Sequence, residues 1–362
     1  MAGKRLIPIF KHKRFQRVLL AAVLISCVVS VYFFMRQPEL KDTDIAASVN
    51  NEPISVMELR DTMIRLKASV FMEFSKKHDY VDNDDFWHGS IDGQNPLAGL
   101  RETALKEIVH RKVKLSLHKK HGLISDIDYS AILKDLNSEN ADRKSKVEKK
   151  ETIYGPQKID LMQYYTVLDS KNDDVVTKQL EKEKIIDTSD DNLKQYYEEI
   201  KAKHYKLPDK IKILKIELRF YANGDTDLNE DEAEKMIKEA EKRLTNGESF
   251  ETVAKAFNKD GSLIQYTFEP EHFPKRDLTL LKTFNAAEKL KPGEISKAFQ
   301  TDSTFEIIKC VDREDSGYSA FSDVKESVKE NLVRVKLEQH ISTLSDSAVI
   351  KKNEAIFDKL TF

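Results

Sequence analysis

Three histidines lie in one segment of the sequence, and histidines on a helix can bind zinc or carry protons. His110, His118 and His121 fall within a stretch of helical periodicity and could share a helix face. A zinc-protease helix would also place a glutamate directly after the first of two histidines four residues apart. That motif does not accompany them, so we interpret the three as part of a solvated basic face and expect neither a metal site nor a cofactor.

Other groups capable of chemistry are few. The chain has two cysteines: Cys27 lies in an apolar run and Cys310 lies in a predicted strand. This placement makes a disulfide between them implausible, and no metal-binding spacing is present. The sequence also lacks a glycine-rich phosphate loop and a nucleophile elbow, so it supports none of the corresponding enzyme classes.

The N-terminal segment predicts a membrane anchor. Residues 1–36 carry seven basic residues and no acidic one, and the uncharged, mainly apolar run 18–35 follows six of them. A helix of that length spans about 27 Å, close to the thickness of the hydrocarbon core. We therefore expect residues 1–17 in the cytoplasm, a single-pass anchor at 18–35 and an extracytoplasmic remainder. Alternatively, residues 24–27 (LISC) form a lipobox, and the protein is a lipoprotein through Cys27.

The charge balance bears on partners. The formal net charge is −2, and because residues 1–36 contribute +7, the remainder of the chain carries −9. An acidic remainder of this kind argues against nucleic acid as a partner.

Residues 36–206 predict a helical module. Apolar residues recur at intervals of three and four along several segments, which is typical of helices with one buried stripe. These segments are residues 57–74, 97–122, 129–136, 159–180 and 188–205.

From residue 207 the pattern changes to alternating strands and helices. The predicted order over residues 207–315 is β-α-α-β-α-β-β, with elements at 211–218, 229–245, 250–257, 262–268, 278–290, 295–299 and 305–311. A further helix is predicted at 322–344, within a C-terminal segment of residues 316–362. The fold class expected for the whole chain is α+β.

Three motifs in this region resemble a known domain. Residues 246–255 (NGESFETVAK), 291–296 (KPGEIS) and 307–309 (IIK) resemble parvulin-type (PpiC) peptidyl-prolyl isomerases. With the helical module in front, the architecture is similar to the extracytoplasmic foldase and chaperone family that includes PrsA and SurA. The resemblance implies unfolded or exported polypeptides as partners, and a C-terminal helix that packs on the helices at 57–74 and 100–117.

The resemblance also implies which residues stand at the isomerase centre. Lys215 and Glu306 occupy positions where the family carries histidines, and Ser262 falls near its acidic or cysteine position. Because the usual residues are absent, we expect a degenerate centre in which Lys215 and Glu306 form an ion pair. The substrate-binding wall is expected at Tyr266, Phe268, Leu280, Phe284 and Phe305.

Three functions are compatible with this reading. The first is a membrane-anchored foldase or chaperone that binds exported unfolded chains with a degenerate isomerase centre. The second is an active prolyl isomerase that tolerates a rewired centre. The third is a non-catalytic structural or sensory ectodomain.

The topology is testable on intact cells whose wall has been removed. Because six basic residues precede residue 18 and only Arg36 follows the apolar run, added protease should degrade the chain beyond residue 37. Protection of that part would contradict the predicted orientation.

Cys27→Ala should leave membrane attachment unchanged if the anchor prediction is correct, whereas release or stranding of the precursor would support the lipobox.

Overall fold

The computed structural model describes residues 39–76, 79–220, 228–270 and 277–362. The predicted anchor at 18–35, including Cys27, lies outside the described residues. Across the described ranges, no helix is both long enough and apolar enough to span a membrane.

The structure is a mixture of helices and strands. In chain order the strands are β1 (Ile45–Val49), β2 (Glu52–Ser55), β3 (Lys210–Arg219), β4 (Ile264–Phe268), β5 (Phe299–Gln300), β6 (Thr304–Glu314) and β7 (Ile350–Lys352). The helices are α1 (Val56–Ser75), α2 (Asp84–His88), α3 (Pro96–Lys120), α4 (Tyr129–Glu148), α5 (Leu161–Lys182), α6 (Asp190–His204), α7 (Glu230–Thr245), α8 (Phe250–Phe257), α9 (Leu278–Ala287), α10 (Phe321–Asp346) and α11 (Glu354–Phe357).

The chain divides into two compact units. The first comprises residues up to Ile186 together with Val335–Phe362, and the second comprises Asp187–Arg334. Each contains helices and an antiparallel sheet, in agreement with the α+β class expected from the sequence.

The sheet of the first unit was not predicted. Its order is β2-β1-β7, and β1 pairs antiparallel with both neighbours. A two-residue turn joins β1 to β2, and its residues Asn50 and Asn51 have φ of 50° and 70°. Asparagine tolerates this left-handed region, which hairpin turns of the primed types require. Residues 45–55 therefore form a hairpin directly before α1.

The helices of the first unit begin at side-chain caps. Ser55 caps α1, Asn95 caps α3 with Pro96 in its first turn, and Asp160 caps α5. Helices α1 and α3 pack together and bury apolar stripes that include Leu59 and Leu100, both fully buried. The predicted helix at 129–136 is the start of a longer one, α4.

The second unit is built on a four-stranded antiparallel sheet. The order is β4-β3-β6-β5, so β3 and β6 are central. Apolar residues of β3 at even positions, such as Ile216, pack with Ile237 of α7 and Val253 of α8. Odd positions, such as Ile213, pack with Phe284 of α9 on the opposite face. The alternation places Lys215 on the face that α9 covers.

The motifs that carried the resemblance have defined structural roles. Gly247, at φ of 90°, ends α7 in a left-handed conformation, and Ser249 caps α8 two residues later. Gly293, at φ of 89°, turns the chain so that residues 293–296 follow β6 through backbone hydrogen bonds with Cys310 and Ile308. The element order agrees with the predicted β-α-α-β-α-β-β, although β5 is shorter than the predicted strand at 295–299.

Helix α10 contributes to both units. Val328 and Leu332 in its first part are buried with Leu193 and Tyr197, residues of α6 in the second unit. In its second part, Glu338 lies 2.8 Å from Nε2 of His110 on α3. The first part of α10 thus packs on α6. The sequence had predicted that the helix at 322–344 packs on the helices at 57–74 and 100–117.

Asn258 connects the loop after α8 to strand β3. Its side chain is buried and accepts a hydrogen bond from the Glu217 backbone N–H at 2.8 Å. It donates to the carbonyls of Lys215 and Ser262, both at 2.9 Å. One amide therefore satisfies three backbone groups beside the candidate centre.

Asn258→Ala should destabilise this sheet, because three backbone groups would lose the hydrogen-bond partner that the buried Asn258 side chain provides. We expect a loss of about 3 kcal/mol, which corresponds to roughly a hundredfold lower amide protection in β3. Hydrogen exchange followed by mass spectrometry measures it. Asn246→Ala, at an exposed helix end, is the matched control. Equal protection in both variants would contradict the role given to Asn258.

Candidate functional site

The expected contact between Lys215 and Glu306 is present. Lys215 Nζ lies 3.2 Å from Glu306 Oε1, across the two central strands. The side chain of Lys215 is 11% exposed and that of Glu306 is 0% exposed. A carboxyl group so completely removed from water needs close polar partners, since an uncompensated buried charge is very costly.

A second carboxyl group, which the sequence reasoning missed, completes the ionic cluster. Glu217 stands directly opposite Glu306 in the strand register, and it forms ion pairs with Lys215 and Arg219. Burial raises the pKa of Glu217, but hydrogen bonds from Lys215 and Arg219 outweigh it and hold the pKa below its ordinary value. The period-two spacing of Lys215, Glu217 and Arg219 was the available signal, because alternate strand residues share one face.

Threonine hydroxyls satisfy the remaining acceptor positions of Glu306. Thr283 Oγ1 of α9 donates to Oε2 at 2.7 Å, and Thr304 Oγ1 donates to Oε1 at 2.9 Å. Thr301 Oγ1 lies 2.7 Å from Thr304 Oγ1 and extends the chain of hydroxyls. Thr301, Thr304 and Thr283 are all buried. Glu306 is thus a buried carboxyl group with several donors directed at it.

Ser262 does not take part through its side chain in the contacts described for this cluster. It is exposed, immediately before β4, and its carbonyl accepts the hydrogen bond from Asn258. The structure therefore brings together Lys215 and Glu306 and leaves the Ser262 hydroxyl at the surface.

The expected aromatic wall is only partly on one face. Phe268 and Phe284 are buried with ring centroids 5.3 Å apart, and Tyr266, 38% exposed, lies against Phe268 at 4.8 Å. Leu280 on α9 is partly buried. Phe305 was wrongly assigned to this wall, because it packs against Phe220 in the cluster on the opposite face of the sheet. Strand alternation separates it from its neighbour Glu306.

The expectation of a solvated histidine face on α3 is wrong for His118. His118 is 1% exposed in its side chain, and its Nε2 lies 3.0 Å from Asp173 Oδ1. His118, Asp169 and Asp173 bring potential metal-ligand atoms within 4.8 Å of one another. Lys114 Nζ already lies 3.0 Å from Asp169 and 2.8 Å from Asp173. An ammonium group at this position makes the cluster a salt-bridge network rather than a fitting metal site.

The hydrogen-bond donors of the ionic cluster are directed inward, at Glu306. Rotation about a prolyl bond breaks amide resonance, and a catalyst favours the twisted state with a dry pocket and a donor for the prolyl nitrogen. Here the hydroxyl hydrogens of Thr283 and Thr304 are engaged by Glu306. The cluster is ionic and its members bind one another, whereas the aromatic residue exposed on strand β4 is Tyr266.

The family comparisons agree with the motifs. Residues 218–312 match the family described as "Rotamase: PPIC-type PPIASE domain". Foldase protein PrsA 3 of Bacillus anthracis is 29% identical over 137 residues, which cover 36% of this chain and 47% of that protein. Foldase protein PrsA of Clostridium acetobutylicum is 29% identical over 126 residues, covering 33% and 38% respectively. The chain therefore spans less than half the length of these relatives.

Solved structures with similar chains include the crystal structure of PrsA from Bacillus subtilis. It is 20% identical, covers 89% of this chain and 94% of that chain, and has a TM-score of 0.21. A structure described with the SurA-like chaperones PEB4 and Cj1289 of Campylobacter jejuni is 15% identical, covers 85% and 98%, and has a TM-score of 0.31. The family match and the two relatives confirm the predicted likeness to PrsA foldases with a PpiC-type domain.

The ionic cluster makes a prediction about stability. Lys215→Met would leave Glu306 buried without its cation and opposite Glu217, so we expect a loss of about 3 to 5 kcal/mol. Adding Glu306→Gln should recover part of it, because the amide is neutral and still accepts hydrogen bonds. Amide exchange in β3 and β6 provides the measurement.

The control for this pair is Lys212→Met on the same strand, a half-buried residue that should change stability by less than about 0.5 kcal/mol. If Lys215→Met behaved like the control, or if Glu306→Gln added its own loss in full, the two residues would not be energetically coupled.

Proposed function

We propose that this chain is a membrane-anchored extracytoplasmic foldase that binds exported unfolded polypeptides and has a degenerate prolyl isomerase centre. The observation that carries the proposal is the buried carboxyl group of Glu306, at which three donors are directed. It is fully buried and receives Lys215, Thr283 and Thr304 at the position where the family carries a histidine.

Physical chemistry explains why this centre should turn over poorly. The twisted prolyl amide is less polar than the planar one, so groups that concentrate charge favour the ground state over the transition state. Lys215 is drawn to both Glu306 and Glu217. Redirecting Lys215 toward a substrate would remove the cation that pairs with the buried carboxyl group of Glu306, at a cost of several kcal/mol.

Binding of unfolded chains requires much less than catalysis. Apolar surface and accessible strand edges suffice, because main-chain hydrogen bonds and side-chain pockets recognise extended segments. Strand β4 is an edge of its sheet. It carries Tyr266, which is 38% exposed, and Leu263, directly before the strand, is 42% exposed. The membrane location rests on the basic and apolar composition of residues 1–36.

Active prolyl isomerisation is the second candidate. The match of residues 218–312 to the PPIC-type family favours it, and Phe268 and Phe284 retain an aromatic pair on the α9 face. In this alternative the ionic cluster would itself contribute to catalysis.

The two candidates differ in the effect of neutralising the cluster. We expect a kcat/KM for a proline peptide at least about a hundredfold below that of an intact parvulin, the size of effect seen when a key electrostatic group is missing. Suppression of aggregation of an unfolded protein should be present in wild type and retained in Lys215→Ala and Glu306→Ala. Both activities are measured on the full chain in detergent.

Two further variants keep this test interpretable. Thr283→Val removes one donor to Glu306 with little change in shape, and Lys297→Ala alters an exposed lysine outside the cluster. Circular dichroism verifies that each variant is folded. A clearly active wild type that loses isomerisation in Lys215→Ala, Glu306→Ala and Thr283→Val, but not in Lys297→Ala, would establish the second candidate.

A further inference from the structure

A surface turn of the first unit presents a tyrosine almost entirely to solvent. Residues 149–158, the tip, lie between α4 and α5, and all of them except Ile153 are exposed. Tyr154 is 89% exposed, the highest value among the large apolar side chains in the described part of the chain. A ring held so far into water buries little surface inside the fold, so packing within the unit does not account for its position.

The backbone of the tip is tied to α4. Arg143 Nη1 donates to the carbonyl of Tyr154 at 3.0 Å and to that of Pro156 at 3.1 Å. The Nε of the same guanidinium donates to Glu139, one turn earlier, at 2.9 Å. Gly155, at φ of 79°, turns the chain between the two carbonyls in the left-handed region that favours glycine. The tyrosine is therefore presented from a turn that one arginine closes on both sides.

The charge around the tyrosine is positive. Residues 142–158 contain six basic and three acidic residues, a net charge of +3, whereas the chain beyond residue 36 carries −9. Lys149, Lys150 and Lys158 are exposed, and no ion pair joins them to an acid within the described ranges. Two of the three acids are paired on α4 and the third lies in the tip: Asp142 with Lys146 at 2.7 Å, Glu148 with Lys144 at 3.9 Å, and Glu151.

Exposed lysines around an aromatic ring are complementary to an anionic lipid surface. Ammonium groups are attracted to a negatively charged headgroup layer, and tyrosine favours the boundary between headgroups and hydrocarbon because its ring is apolar and its hydroxyl polar. Such a surface repels the acidic remainder of the chain, which favours an orientation with the tip toward it. An unfolded polypeptide has no comparable fixed density of negative charge, so the chemistry of the tip favours lipid over a client.

The first unit is also the part of the chain that follows the predicted anchor. Six residues, 36–41, separate the apolar run 18–35 from Asp42, and they extend at most about 20 Å. The Asp42 carbonyl accepts from the first turn of α1, and Tyr129 at the start of α4 donates to Asp61 of α1. The tip, at the far end of α4, is therefore about one helix length, roughly 30 Å, from the tether. Distances of this size let the unit tilt until the tip meets the bilayer.

We propose that the tip docks on an anionic lipid surface, with Lys149, Lys150 and Lys158 among the headgroups and the Tyr154 ring at their boundary with the hydrocarbon. The contact is a second attachment beside the N-terminal anchor, and it orients the first unit on the membrane. The inference rests on the proposed function for the anchor, whereas the chemistry of the tip requires only a negatively charged bilayer.

Fluorescence of a tryptophan placed in the tip tests the contact. The full chain with Tyr154→Trp is reconstituted in nanodiscs of phosphatidylcholine, or of an equal mixture of phosphatidylcholine and phosphatidylglycerol, each containing lipid brominated on the upper acyl chain. Bromine quenches a tryptophan that touches it, so emission should be quenched in the anionic discs and not in the zwitterionic discs. Wild type supplies the background, because its single tryptophan, Trp87, is 1% exposed.

Variants of the lysines assign the attraction to the tip. Each lysine at an anionic surface strengthens the contact about fivefold, so changing all three tip lysines to glutamine should weaken it roughly a hundredfold and abolish the quenching. Salt at about 1 M should also abolish it, because the Debye length falls to about 3 Å. The matched control removes the same charge from three exposed lysines of α5 and should keep the quenching: Lys171→Gln, Lys178→Gln and Lys182→Gln.

A second control concerns position. Val81 is 72% exposed in the same unit, and Val81→Trp should be quenched in neither disc. The proposal is overturned by absent quenching of Tyr154→Trp in the anionic discs, or by equal quenching in both discs. Quenching of Val81→Trp to the same extent, or an equal loss in the α5 variant and the tip variant, would overturn it as well.

Failure of the proposed function gives different results. A chain that does not enter the discs would reject the anchor. Brominated vesicles of the anionic mixture, added to the same Tyr154→Trp chain, then test the tip alone, and absent quenching there rejects it. Wild type that fails to suppress aggregation would reject the foldase, and the quenching would still decide the lipid contact. Absent quenching with normal suppression of aggregation would reject the tip and leave the foldase standing.

Discussion

The buried carboxyl group of Glu306 is the constraint on which the second unit depends. An acid in the middle of a sheet is tolerated only if donors from several directions reach it. Those donors come from β3, from α9 and from the start of β6, in Lys215, Thr283 and Thr304. The strand register and the position of α9 are therefore tied to the chemistry of one side chain. A cluster organised around such an acid is held together as one electrostatic unit.

The same principle recurs in the first unit with a different result. The pair Glu58 and Lys112 is about as buried as its counterpart, but among the described residues no hydrogen bond reaches Glu58 Oε2. In the second unit the charges satisfy one another. The contrast between a closed and an incomplete ionic cluster is what distinguishes the two sites physically.

Much of the second unit followed from the sequence. Periodicity located β3, α7 and α8 within one or two residues, and motif resemblance identified the positions of Lys215 and Glu306. Glu217 and Thr283 could not be ranked as partners in the same way, because their roles depend on cross-strand register and on the approach of α9. Phe305 was misplaced because a residue next to Glu306 was treated as if it shared the same face. The hairpin at residues 45–55 was missed although Asn50 and Asn51 carry a turn signal. The third strand of its sheet, near residue 350, has only three residues and leaves almost no local pattern in the sequence.

That distant strand affects the order in which the molecule can be assembled. Strand β1 pairs with β7, about three hundred residues later in the chain, whereas the second unit is formed from one continuous stretch, Asp187–Arg334. During vectorial synthesis, every residue of the second unit emerges before β7 does, and local contacts form sooner than distant ones. The second unit can complete its core while β1 still lacks its last neighbour. The sheet of the first unit can therefore be completed only after every residue of the second unit has been synthesised.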